Sequence, residues 1–217
     1  MSAKRPMKKI FDFVRLLILS AFLVIFASCK NQLAFMLQED DSIAFMLECN
    51  FDQGGAIQNL LKSAGSDFSE LNLDQLKAGL LEEGFTKVEV YPSKAEGLVI
   101  KGILPADNEI VFEKEGIITF RLTNENFRDF YNGCSARMAA VFDIFLVPAL
   151  SDDEETKNLD EKGYLDLIAS FYGQNFADEL SRSSIKISVQ DKRKNITEKT
   201  ILFTSLFTAK KTIEIKS

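Results

Sequence analysis

This 217-residue chain contains three cysteines, and they are its best candidates for specific side-chain chemistry. A thiolate is a nucleophile, so a cysteine can be acylated or oxidised to a disulfide. Cys29 directly follows two small residues, whereas Cys49 and Cys134 lie farther along the chain. These last two cysteines allow one disulfide bond, and the alternative is a pair of free, buried thiols that pack as small apolar residues.

Catalytic triads and metal sites that use histidine are excluded because the chain contains no histidine. Histidine is the commonest general base and the commonest nitrogen ligand of metals. Glycine-rich phosphate loops and paired-cysteine motifs are also missing from the sequence. We therefore predict a protein that is not an enzyme and has no cofactor and no metal site. The alternatives are an enzyme built on paired carboxylates and a cation site in the acidic segment 152–155, which lacks the spacing of a calcium loop.

The residues before Cys29 have the layout of a secretory signal peptide. The first 15 residues contain five lysines and arginines and a single acidic residue, and residues 16–26 are all apolar apart from Ser20. The small residues Ala27 and Ser28 then precede the cysteine. A helix that spans a bilayer needs about 20 apolar residues, so this run is short for a retained transmembrane helix.

This arrangement resembles the precursors of bacterial lipoproteins, in which the cysteine after the small residues is acylated and becomes the new N-terminus. Phe26 stands where the family usually has leucine, as in the relaxed motifs of spirochaete lipoproteins. The resemblance implies a signal peptide over residues 1–28 and a domain over 29–217 that is exported and anchored to a bacterial membrane through Cys29. Lys30 at the next position favours the outer over the inner membrane by the family rule. A retained helix and an ordinary cleaved signal are the alternatives.

Charge limits the partners of the domain. The precursor has a formal net charge of −6, and its leader is basic, so the remaining chain is more acidic still. An acidic domain repels phosphate backbones and anionic head groups, which excludes nucleic acid as a partner. The expected partners are the membrane, through the acyl chains, and an envelope protein or a lipid.

Hydrophobic patterning predicts one α+β domain with an antiparallel sheet and helices packed on one face. Two similar segments, 33–37 and 43–47, alternate as a β-hairpin around a polar turn. Residues 53–84 and 124–181 have the apolar spacing of helices, and residues 86–122 and 184–216 have that of strands. One of these predicted strands covers residues 201–207. This order of elements is similar to that of uncharacterised bacterial lipoproteins of the LppM type.

The stretch 138–150 is the best sequence candidate for a functional surface because Asp143 is its only charged residue. Such a run is typical of buried core, or of a wall that contacts a lipid or partner. The side chains expected to make that contact are Met138, Val141, Phe142, Phe145 and Leu146. We predict a non-enzymatic envelope binding or structural module, and the alternative is a carrier of lipid or another hydrophobic ligand with an apolar cavity near these residues.

Overall fold

The predicted N-terminal hairpin forms and lies in the middle of a larger sheet. The computed structural model describes residues 31–50, 55, 73–82, 84–93, 97–105, 108–132, 142–143 and 145–217. Its strands are β1 (Asn31–Leu37), β2 (Ile43–Asn50), β3 (Thr86–Pro92), β4 (Gly97–Ile103), β5 (Val111–Lys114), β6 (Ile117–Leu122), β7 (Ser184–Gln190), β8 (Ile196–Leu202) and β9 (Ile213–Lys216). The helices it describes are α1 (Leu73–Glu82), α2 (Asn124–Asn132), α3 (Glu154–Lys157), α4 (Glu161–Tyr172), α5 (Gln174–Arg182) and α6 (Phe203–Thr208), with a 3₁₀ turn at Pro148–Leu150.

Six strands form the main sheet in the order β3-β4-β2-β1-β7-β8. Within the hairpin, Phe35 faces Phe45 and Leu33 faces Leu47. The strand period of two places these side chains on one face, together with Ile100 of β4. That face is apolar and covered, whereas the other face carries polar residues such as the ion pair of Lys186 with Glu198. The predicted α+β architecture is confirmed, although the pair of β1 with β7 is parallel.

A second sheet, which the sequence did not separate from the first, contains β5, β6 and β9. The chain leaves the main sheet after Ile103 and passes through Pro105, which has no N–H to continue the strand ladder. Asn108 then turns the backbone because its Oδ1 accepts hydrogen bonds from the N–H groups of Ile110, at 3.0 Å, and Val111, at 2.8 Å. The second sheet packs against the covered face of the first, where Phe120 stacks on Phe35 at 5.9 Å between ring centroids.

The longest described helix, α4, begins at an Asp160 cap whose carboxylate accepts from the N–H of Gly163 at 2.8 Å. Its inner face buries Tyr164 and Ile168 completely. Phe171 of the same helix is 65% exposed, so it does not belong to the core. The hydroxyl of Tyr164 donates to the carbonyl of Phe145 at 2.7 Å, which satisfies a buried polar group.

The strand predicted over 201–207 is wrong from Phe203 onward, where the chain forms α6. The carboxylate of Glu161 accepts hydrogen bonds from the hydroxyls of Thr204, at 2.9 Å, and Ser205, at 2.7 Å. Phe203 and Phe207 are buried beside the main sheet, which also stabilises α6. Tertiary contacts therefore override the β-type composition of this segment.

Candidate ligand-binding cavity

An apolar cavity of about 200 Å³ lies between the covered face of the main sheet and the elements packed on it. The sheet provides one wall, formed by Leu33, Phe35, Phe45, Leu47, Ile100, Ile185 and Ile187. The helices provide a second wall, formed by Leu80, Phe127, Phe130, Phe203, Leu206 and Phe207. The lining is completed by Phe85, which precedes β3, and by residues of the second sheet and of the chain leading to it: Leu104, Asn108, Ile110, Val111, Phe120 and Leu122.

The wall on β2 and β4 depends on a glycine. A side-chain carbon at Gly102 would lie 2.9 Å from Cε1 of Phe45 and 3.2 Å from the carbonyl oxygen of Thr86. Gly102 therefore leaves the space that the Phe45 ring occupies, and the ring packs edge-on against Phe85 at 5.3 Å. The two rings form one side of the cavity.

Leu33 has an unusual environment for a residue on the inner face of a central strand. Its register partners Leu47 and Ile187 are both buried, but Leu33 itself is only half-buried. Strands lie on both sides of it in the sheet, so its exposed surface faces the cavity that it lines. The sheet wall is thus not fully covered by protein atoms at this position.

Part of the cavity lining is accessible to solvent. Leu104, Asn108 and Ile110 are partly exposed, and so is Phe85. Asn108 is the only polar side chain among the described residues that line the cavity, and none of those residues is charged. The cavity can therefore hold an uncharged, apolar group, with a single amide at its margin.

The cysteines predicted to carry chemistry fall in different parts of the chain. Cys49 is a free thiol with no exposed surface, on the inner face of β2. Burial raises the pKa of this thiol well above its ordinary value, so it stays protonated and unreactive at neutral pH. This state matches the alternative of a buried apolar residue. Cys29 and Cys134 lie outside the described residues, so lipidation of Cys29 stays a prediction.

The apolar stretch 138–150 contributes to a different part of the molecule. Met138 and Val141 lie outside the described residues. Phe145 is completely buried and packs on Phe176 and Phe207. The buried Phe142 and the half-buried Leu146 border a second depression, of about 310 Å³, whose lining also includes polar residues: Asp143, Ser151 and Thr156.

The acidic segment 152–155 is used for capping and for tethering the chain. The carboxylate of Asp153 accepts from the N–H of Thr156 at 2.8 Å and begins α3, and this hydrogen bond lowers the pKa of Asp153. Asp152 pairs with Arg128 of α2, which also donates to the carbonyls of Ala149 and Ser151. Throughout the described part of the chain, no group of three or more acidic or cysteine side chains is placed to hold a metal ion.

Sequence reasoning missed the cavity because alternation identifies the inward face of a strand but not how completely it is covered. Two signals were present in the sequence. The hairpin segments 33–37 and 43–47 are largely apolar on both faces, and Gly102 stands within a strand pattern. A strand glycine marks a place where another group approaches closely. In this case the approaching group is Phe45.

None of the described helices is long and apolar enough to cross a membrane. Comparison with known proteins adds no further assignment, because no family model, curated protein or solved structure matches this chain.

Proposed function

We propose that this protein is a non-enzymatic binding protein for an apolar molecule, held at a bacterial membrane by acyl chains on Cys29. The observation that carries the proposal is the cavity of about 200 Å³, whose described lining is apolar except for Asn108. The cavity supports the carrier alternative over a purely structural module. The proposed ligand would lie against the sheet and not near residues 138–150, because none of the described residues between 142 and 150 lines that cavity.

The free-energy cost of such a cavity supports a binding role. A core that leaves 200 Å³ unfilled by protein loses roughly 5 kcal/mol, at about 24 cal/mol per Å³. Folded domains have only about 5–15 kcal/mol of total stability. A cost of this size is easily removed by larger side chains, so its retention is typical of a site that binds something.

The volume sets the size of the ligand. An apolar cavity of about 150 Å³ is large enough to bind benzene, so this one suits roughly eight carbon atoms. Burying eight carbons at about 0.8 kcal/mol each gives an upper limit near 6 kcal/mol before the costs of association. A single medium-length acyl or alkyl group fits both limits.

The proposed anchor would keep the binding domain near a source of such molecules. Cys29 is separated from β1 by Lys30 alone, so acyl chains on the cysteine would hold the sheet close to the bilayer surface. Two or more acyl chains give stable membrane attachment without help from the folded domain. The acidic domain then needs no basic surface of its own to remain there.

Mass spectrometry of an organic extract tests the proposal. The chain from residue 30 onward contains every described helix and strand, and it can be produced without the acyl anchor in the presence of bacterial membranes. We expect a co-purifying apolar molecule at near-stoichiometric amount, and the Leu33→Phe variant, whose ring occupies part of the cavity, should carry less of it. A folded, monodisperse protein that neither retains an extractable molecule nor binds added eight-carbon compounds would refute the binding function.

A further inference from the structure

We infer that the cavity selects a neutral chain that carries one oxygen acceptor near its end, and that the side-chain amide of Asn108 donates the hydrogen bond to that oxygen. This inference rests on the proposed binding function and specifies the chemical class of its ligand. Candidate groups of this class are the carbonyl of an ester, a ketone or an amide.

The orientation of the Asn108 amide follows from its hydrogen bonds. Its Oδ1 accepts from two backbone N–H groups, those of Ile110 at 3.0 Å and Val111 at 2.8 Å. A flipped amide would place its NH₂ group against these two donors, so the assignment of oxygen and nitrogen is unambiguous. The Nδ2 group therefore points away from the turn, and it has no hydrogen-bond partner among the described residues.

The position of Asn108 suits recognition of the polar end of a chain. The residue is partly exposed, and it lines the cavity together with Leu104 and Ile110, which are partly exposed as well. The remaining described lining is apolar and accommodates the hydrocarbon. A ligand that enters chain first would thus leave its terminal oxygen beside the only side-chain donor of the described lining.

The same lining disfavours an ionised head group. None of the described lining residues is a lysine or an arginine, and the chain as a whole is acidic. A carboxylate beside Asn108 would keep one neutral hydrogen bond but would lack a charge partner. A neutral carbonyl needs no such partner, so it is the better match.

The test compares three eight-carbon compounds, 1-octene, 2-octanone and octanoate, on the wild-type chain from residue 30 onward and on Asn108→Asp. Aspartate keeps an oxygen acceptor for the two backbone N–H groups but has no amide donor. A net hydrogen bond is worth about 1 kcal/mol, so we expect the variant to bind 2-octanone about fivefold more weakly. Its affinity for 1-octene should stay unchanged, which also shows that its cavity is intact. Wild-type protein should bind octanoate more weakly than 2-octanone.

Other results separate the two proposals. If wild-type protein binds 1-octene and the variant loses both compounds equally, or loses neither, the cavity binds apolar molecules but Asn108 does not select them. Tighter binding of octanoate than of 2-octanone would overturn the preference for a neutral ligand. If wild-type protein binds none of the three, the binding function itself is refuted. Should the variant fail to fold, the side-chain NH₂ resonances of Asn108 in wild-type protein give the answer, because they should shift with 2-octanone and not with 1-octene.

Discussion

Replacing Leu33 by phenylalanine tests whether the sheet wall borders unfilled space. Leu33 lines the cavity and is half-buried, although it lies on the inner face of a central strand. A larger side chain there should extend into the cavity without displacing its neighbours. Val189 provides the matched control, since it lies on the same face, opposite Phe35 in the register, and has no exposed surface.

We expect Leu33→Phe and Val189→Phe to change the free energy of unfolding in opposite directions. Phenylalanine has three more carbons than leucine, and each carbon removed from water contributes about 0.8 kcal/mol, which limits the gain at position 33 to about 2.4 kcal/mol. The ring loses part of this gain to restricted rotation, so we expect Leu33→Phe to be about 0–2 kcal/mol more stable than the wild type. Val189→Phe must force apart a filled region and should lose about 1–3 kcal/mol.

Urea denaturation followed by circular dichroism measures both differences, provided that the slope of unfolding free energy against urea concentration is unchanged. The same Leu33→Phe protein should bind 2-octanone several-fold more weakly than the wild type, because the ring occupies part of the ligand volume. A loss of stability by Leu33→Phe as large as that of Val189→Phe would refute the cavity at this position.

Three further predictions concern the packing of the protein interior. Tyr164→Phe should lose about 1–2 kcal/mol in urea denaturation, because the buried hydrogen bond from the Tyr164 hydroxyl to the carbonyl of Phe145 is removed. The ordinary pKa of a cysteine thiol is about 9, and burial keeps the Cys49 thiol of the folded protein protonated above that pH while the thiol of the unfolded chain ionises. Above pH 9 the free energy of unfolding should therefore fall by about 1.4 kcal/mol per pH unit more in the wild type than in Cys49→Ala. Equal pH slopes in the two proteins would contradict this. Gly102→Ala should lose about 1–3 kcal/mol, because the added carbon meets the Phe45 ring at 2.9 Å, and wild-type stability of the variant would show that the ring moves freely.

Local pattern was sufficient for the strands and helices whose burial repeats regularly. The hairpin of β1 and β2 and the alternation of β7 both follow rules that act over a few residues. The prediction failed at α6, where Glu161, more than 40 positions away, binds the hydroxyls of Thr204 and Ser205. A contact over that distance in sequence has no periodic signature.

The candidate site was less predictable than the fold because it depends on incomplete packing. Phe145 and Leu33 are both apolar residues in apolar runs, yet Phe145 is buried in the core and Leu33 borders the cavity. The role of Asn108 likewise depends on its place between two sheets, since its sequence neighbourhood predicts only a turn. Composition therefore indicated a hydrophobic interior, and three-dimensional packing determined where that interior can receive a ligand.

The most direct test of the central claim is a titration of methyl-labelled protein with 2-octanone, followed by nuclear magnetic resonance. Binding in the sheet cavity predicts saturable shifts of the Leu33, Ile100 and Ile187 methyl groups, whereas the buried Ile168, which does not line the cavity, should remain unchanged. Shifts confined to Leu146 and Leu167 would place the ligand in the second depression, and no saturable shift would mean that the cavity does not bind it. Either of these results would contradict the proposed function of the sheet cavity.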